Sequence, residues 1–183
     1  MIIAGVDEVG RGAFAGPVVA CAVVLPPDYV NVAITDSKKL SAKKRALLDI
    51  EIRKNALAIG IGAICSLLID KIGIVPATKQ AMQLAINRLG RSCDQIIIDA
   101  VPLNNLACPS ISPYKADLNY MCVGAASIVA KVHRDKLMAD LAKLYPAYGW
   151  ERNAGYGTAT HIAALKSNGK TPLHRKSFIK SYV

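Results

Sequence analysis

Two adjacent acids, Asp7 and Glu8, stand directly before the turn Gly10-Arg11-Gly12 in the stretch AGVDEVGRGAFAGPVVA, residues 4–20. Two chemistries use such a pattern. Glycines at 10, 12 and 16 with Asp36 downstream resemble a dinucleotide-binding turn, but a pyrophosphate site needs a helix N-terminus after its glycines. Here Pro17 opens a β-branched run that reads as strand, and the two acids would stand beside the phosphates. The alternative meets neither objection: magnesium or manganese takes hard oxygen ligands, and a two-ion site needs several carboxylates converging from separate elements. Asp99 after Ile96-Ile97-Ile98 and Asp117 near the start of a long helical pattern are the further candidates. Each has a plainer reading, Asp99 as a turn residue and Asp117 as a helix N-cap. Strand neighbours point to opposite faces, so Asp7 and Glu8 are expected to share a site only if their strand ends there.

The elements that must carry these acids follow from periodicity. Residues 1–6 and the run PVVACAVVL read as two buried strands joined without a crossover helix. A basic amphipathic helix follows, with Ser41 as N-cap and Leu47, Leu48, Ile50 and Ile52 as its apolar positions. The run ALAIGIGAICS reads as a strand and ATKQAMQLAINRLG as a helix stopped by Gly90. QIIIDA is a strand buried on both faces and ending in Asp99. The pattern from Lys115 onward is one long helix closed before Pro146, whose small patch Gly124-Ala125-Ala126-Ser127 permits close backbone approach. From about residue 148 a tail rich in aromatics, glycines and bases holds one short helix near 160–166. The fold class is α/β: a mixed sheet flanked by helices, in a single domain over 1–183 whose residues 148–183 form a small helical C-terminal segment.

The formal charge of +10 on 183 residues favours a polyanionic partner over a neutral metabolite. Basic clusters lie at Lys38, Lys39, Lys43, Lys44 and Arg45, at Lys131 and Arg134, and at Lys170, His174, Arg175 and Lys176. Each is either a solvated face or a phosphate contact, and the acid set favours the second. The GKT at 169–171 is no phosphate-binding loop, because Ala164 occupies its first glycine position. Cys21, Cys65, Cys93, Cys108 and Cys122 have no metal-type spacing and fit reduced thiols in the cytoplasm. No apolar run is long enough to span a bilayer, so no membrane partner is expected.

GVDEVGRGAFAGPVVACAVV, DSKKL, IIIDA, KAD with AASIVAKVHRD, GYGTATH and HRKSF occur in this order over nearly the whole chain, and the sequence so resembles the ribonuclease HII family. The resemblance implies a ribonuclease H-like fold. It also implies a magnesium- or manganese-dependent endonuclease that cuts RNA in RNA–DNA hybrids and incises at single ribonucleotides embedded in duplex DNA, leaving 3′-hydroxyl and 5′-phosphate ends. It places the catalytic and metal-binding acids on Asp7, Glu8, Asp99 and Asp117, with two ions expected when substrate is bound. It gives Gly10, Arg11 and Gly12 the reading of the ribose 2′-hydroxyl and Tyr156 packing on the neighbouring deoxyribose. Lys38, Lys39, Arg175 and Ser177 are expected to position the substrate backbone. Ala100, Ala116 and the Ala13-Phe14 pair depart from the family pattern without removing an acid. The alternatives are a Holliday-junction resolvase or other nuclease of the same broad fold, and a non-catalytic nucleic-acid-binding protein. A monomer is expected; whether a replication clamp binds the tail is left open by the sequence.

Overall fold

The computed structural model describes residues 1–35 and 37–182, so Asp36 lies outside the described residues. Strand β1 (Ile3–Val9) turns back into β2 (Val18–Val24), and helix α1 (Ala42–Asn55) leads to β3 (Ala58–Ile64). Helices α2 (Ser66–Ile72) and α3 (Ile74–Asn87) precede β4 (Gln95–Ile98) and the two-residue β5 (Ser110–Ile111). Then come α4 (Ala116–Asn119), α5 (Met121–Leu144), α6 (Trp150–Asn153) and α7 (Ala159–Asn168). The sheet order is β3-β2-β1-β4-β5, with β1 antiparallel to β2 and parallel to β4. It is a mixed sheet, as the uncrossed first connection requires.

Side chains alternate between two apolar layers. Ala4, Val6, Val18, Ala20, Ile96 and Ile98 pack against Ala77, Ala81 and Ala85 of α3. On the other face Cys21 and Val23 meet Leu48 and Ile52 of α1 and Ala125, Ile128 and Val129 of α5. A third cluster joins Ala15, Met138 and Ala142 to Tyr148, Trp150, Leu165 and Ile179, tying the C-terminal segment to the turn after β1.

Ser41 caps α1 as expected, accepting the Lys44 N–H. Only half of that helix's apolar residues are buried: Leu48 and Ile52 face inward, while Leu47 and Ile50 are exposed. Helix α2 has no counterpart in the periodicity of the sequence, being a seven-residue element too short to show one. The long C-terminal helix is interrupted. Tyr120 is extended at φ −127°, so α4 is separate and Asp117 sits in this short helix rather than at the start or cap of α5.

The patch Gly124-Ala125-Ala126-Ser127 is wholly buried, and it brings α5 onto the central strand. A Cβ added at Gly5 of β1 would stand 2.2 Å from the Cys122 carbonyl carbon and 2.3 Å from Val123 N. Replacing Gly5→Ala forces β1 and α5 apart and is expected to destabilise the fold by about 1–3 kcal/mol. The measurement is the urea unfolding midpoint, and an unchanged midpoint contradicts the packing.

Candidate active site

The acids are placed by strand register. Val6 pairs with Ile98, and the Asp99 N–H donates to the Val6 carbonyl at 3.0 Å, so Asp7 and Asp99 are neighbours on adjacent parallel strands. Asp7 stands opposite Cys21, and Asp99 follows Ile97 at a spacing of two, so both belong to the face covered by α4 and α5. Strand β1 does not end at the acids, contrary to the expectation: it stays paired with β2 as far as Val9. What ends is β4. Past Ile98 the β4 side of β1 is open, and Asp7 and Glu8 both line one cleft despite their alternation.

That cleft, about 450 Å³, is lined by Asp7, Glu8, Gly10, Arg11, Gly12, Lys38 and Tyr156, together with Ser37, Ser127 and Lys131. An adjoining depression of about 400 Å³ holds Asp99, Asp117, Lys38 and Lys39, with Tyr114 and Lys115 at its rim. Lys38 borders both, so the four acids occupy two connected halves of one surface. The third and fourth acids are also linked through backbone: the Asp99 carboxylate accepts the Ala116 N–H at 2.7 Å, anchoring α4 one residue before Asp117.

Burial pushes the Asp7 carboxyl well above the ordinary carboxylate range, and the Glu8 and Asp99 charges push it further. The Ser127 hydroxyl and the Glu8 N–H, which donates to Asp7 at 2.7 Å, oppose that shift. Burial also raises Glu8, against the pull of Arg11, whose guanidinium stands 3.5 Å away. Among the described residues Glu8 Oε2 is the one buried side-chain oxygen or nitrogen without a hydrogen-bond partner. Mutually repelling, desolvated oxygens with one left orphaned fit a hard divalent cation. Among the described residues no three His, Cys, Asp or Glu side chains form a ready cage. Magnesium-type ions are commonly held through one or two carboxylates together with water and substrate phosphate oxygens.

The turn after β1 is fixed from below by two guanidiniums. Arg175 is fully buried and donates to the carbonyls of Gly10, Arg11 and Gly16 at 2.7–3.0 Å. Arg134, also fully buried, donates to Ala15, Pro17 and Ala154. The expectation that Arg175 positions the substrate backbone directly is therefore corrected, as is the reading of Arg134 as a phosphate contact. Their fork of N–H groups is spent on backbone. Since the peptides are trans, carbonyls of Gly10 and Arg11 turned toward Arg175 leave the N–H groups of Arg11 and Gly12 pointing the opposite way. Gly10 adopts φ +90°, and a Cβ at Gly12 would meet nothing within 4 Å. A ligand can approach that backbone closely.

The remaining expected residues fall differently. The Tyr156 ring lies near Lys131 Nζ (5.9 Å) and the Arg134 guanidinium (5.5 Å). Ser177 is exposed and its hydroxyl and N–H donate to Asp70 of α2, which docks the tail. In the C-terminal basic cluster Lys170 and Lys176 are exposed whereas His174 is buried, and Arg45 is turned back onto the carbonyls of Ser37 and Leu40. Ser127 escaped the sequence reading as a site residue, although Ser127, Lys131 and Arg134 recur at one-turn spacing along α5.

A five-stranded mixed sheet flanked by helices, with acids brought together on two adjacent parallel strands, is the architecture of the ribonuclease H-like fold. A sequence model described as Ribonuclease HII matches residues 4–181, and the chain belongs to that family. It is 50% identical over 177 residues to the ribonuclease HII of Enterococcus faecalis, the match covering 97% of this chain and 69% of that protein. Among solved structures it is similar to the ribonuclease H2 from Pyrococcus horikoshii OT3, with a TM-score of 0.82, 25% identity and coverage of 97% and 93%. It is likewise similar to a chain of the PCNA:RNase HII complex from Archaeoglobus fulgidus, with a TM-score of 0.81, 25% identity and coverage of 97% and 94%.

Two substitutions probe the supports. Arg175→Ala strips three inward carbonyls of their guanidinium donor, only that of Gly10 keeping a long bond from the Ala13 N–H; at about 1–3 kcal/mol for each unsatisfied group, a loss of about 3 kcal/mol is expected in urea unfolding. Ala100 sits at φ +52° beside Asp99. Ala100→Gly relieves that left-handed strain and is expected to stabilise the protein by roughly 0.5–1 kcal/mol, read as a raised unfolding midpoint.

Proposed function

We propose that the cleft hydrolyses the RNA strand of an RNA–DNA hybrid next to a ribose, and incises duplex DNA at a single embedded ribonucleotide. As a member of the ribonuclease HII family the chain is an endoribonuclease H, a hydrolase of phosphodiester bonds in RNA–DNA hybrids. The observation that carries the finer reading is the adjacency of the Asp7–Asp99 pair and the orphaned Glu8 oxygen to the open Gly10–Gly12 backbone.

Asp7, Glu8, Asp99 and Asp117 are the residues to hold divalent cations, magnesium or manganese. When bound, such cations lower the pKa of an attacking water and neutralise charge on the leaving 3′-oxygen. The protein's own contribution is orientation. Arg175 holds the turn so that the N–H groups of Arg11 and Gly12 are offered to the ribose 2′-hydroxyl, the group that separates RNA from DNA. Tyr156 supplies an aromatic face for the neighbouring deoxyribose, with Lys131 beside it. Lys38 and Lys39 border the acids and are exposed, as phosphate contacts must be, and Lys43 and Lys44 extend that basic surface along α1. None of these groups reads a base, so cleavage is indifferent to sequence. The five unpaired cysteines and a fold without any helix able to cross a membrane among the described residues support a cytoplasmic setting.

The test is cleavage of three matched duplexes, all-DNA, single-ribonucleotide and full hybrid, with magnesium and with manganese. Cutting of the last two but not the first is expected, with products ending in 3′-hydroxyl and 5′-phosphate. Asp7→Asn should abolish it, and full activity in that variant contradicts the site. Binding should weaken with salt, by roughly 0.9 units of log–log slope for each phosphate contact, and a flat response would return the lysines to an ordinary solvated surface.

A further inference from the structure

We propose that His161 and His174 form a neutral two-imidazole bridge that positions Tyr156 and the Gly10–Gly12 turn relative to each other, making recognition of the ribonucleotide acid-sensitive. The inference rests on the functional reading above and deepens it. Both side chains are buried, at 0% and 1% exposure. Their Nε2 atoms are 3.0 Å apart, so one must donate and the other accept.

The surrounding partners decide which. The Thr171 N–H donates to His174 Nδ1 at 2.9 Å, so that nitrogen carries no proton and His174 is protonated on Nε2. His161 Nε2 therefore accepts from His174, and it also accepts from the Trp150 indole N–H at 3.2 Å. His161 is then protonated on Nδ1 and donates to the Tyr156 carbonyl at 2.9 Å. Every donor finds an acceptor in one arrangement, and a further proton on either ring sets N–H against N–H or expels Thr171.

The bridge joins the two substrate readers. Beyond His161 lies Tyr156. Beyond His174 lie Arg175, which holds the Gly10 and Arg11 carbonyls, and an antiparallel pairing with Ala15. The groups facing the pair are Phe14 from the turn, Tyr148 and Trp150 from the segment after α5, and Thr171 from the tail. Tyr148 is titratable and donates its hydroxyl proton to the Gly169 carbonyl; among the described residues no carboxylate faces the pair to support a positive charge. Burial accordingly holds both imidazoles below their ordinary range, His174 at about 4. A group depressed on folding gives stability present above about pH 6.5 and lost as the pH falls toward 4.

The full-length protein is tested in two ways. Ring ¹⁵N spectra at pH 7 should show His161 protonated on Nδ1 and His174 on Nε2, both still neutral at pH 6; reversed tautomers, or titration near 6.5, overturn the proposal. Affinity for a single-ribonucleotide duplex relative to an all-DNA duplex is then measured in EDTA, which removes metal binding at the acids from the readout. The wild-type preference should be present at pH 7.5 and fade as the pH falls toward 4. His174→Gln, whose amide still donates to His161 but cannot be protonated, should keep the preference and flatten its acid limb. His161→Phe should lose the preference at every pH and raise KM by at least about tenfold, with kcat on saturating hybrid little changed. A preference surviving His161→Phe, or an acid limb surviving His174→Gln, overturns the bridge alone. A wild-type protein with no preference at pH 7.5 overturns the functional reading and the bridge with it. Should a variant not fold, the wild-type spectra still decide.

Discussion

Carboxylates forced together away from water are the constraint on which this structure turns. Asp7 is buried and Glu8 partly buried beside Asp99, and neither desolvation nor mutual repulsion favours their charged forms. The parallel pairing of β1 with β4 creates the crowding, since Val6 opposite Ile98 brings Asp7 alongside Asp99. The glycine contact at Gly5 then presses α5 onto β1 and brings Ser127 to the acids. Such an arrangement costs stability by itself and is relieved by positive charge, which Arg11 supplies only in part. Function and instability have one origin.

A second arrangement of charge complements the first. Arg134 and Arg175 are buried with their guanidiniums directed at backbone carbonyls on either side of the turn after β1. Their hydrogen bonds convert a glycine-rich segment, which would otherwise be mobile, into a rigid ledge beside the acids. The same bonds orient the peptide dipoles, with carbonyls inward and N–H groups outward. The ledge thus offers backbone donors beside carboxylates that can only accept, a polarity suited to a ribose hydroxyl lying next to a cation-bound phosphate.

Much of this was legible in the sequence, for identifiable reasons. Acids that follow apolar runs announce themselves, because a charge at the end of Ile96-Ile97-Ile98 needs a purpose or a turn. Ser41 could be read because capping is local chemistry, and the small patch before Ser127 because close approach demands small side chains. The register that joins Asp7 to Asp99 is a long-range property and had to be seen. Arginine and histidine misled in the C-terminal block, since HRKSF looks like a basic surface until His174 and Arg175 prove wholly interior. Sequence gives the sign of a charge but not its depth. The pattern around Asp117 reads as one long helix because the break at Tyr120 is a backbone event without a proline or glycine to mark it.

The central claim is that the four acids share their cations with the phosphate beside a ribose. The most direct test is a crystal structure of the protein with manganese and an uncleavable duplex carrying one ribonucleotide, with manganese located by anomalous scattering. The account predicts two peaks about 4 Å apart, contacted by Asp7, Glu8, Asp99 and Asp117 and bracketing the phosphate 5′ or 3′ to the ribose, with the 2′-hydroxyl against the Gly10–Gly12 turn. Manganese bound away from these acids, or a ribose held elsewhere on the surface, would contradict it.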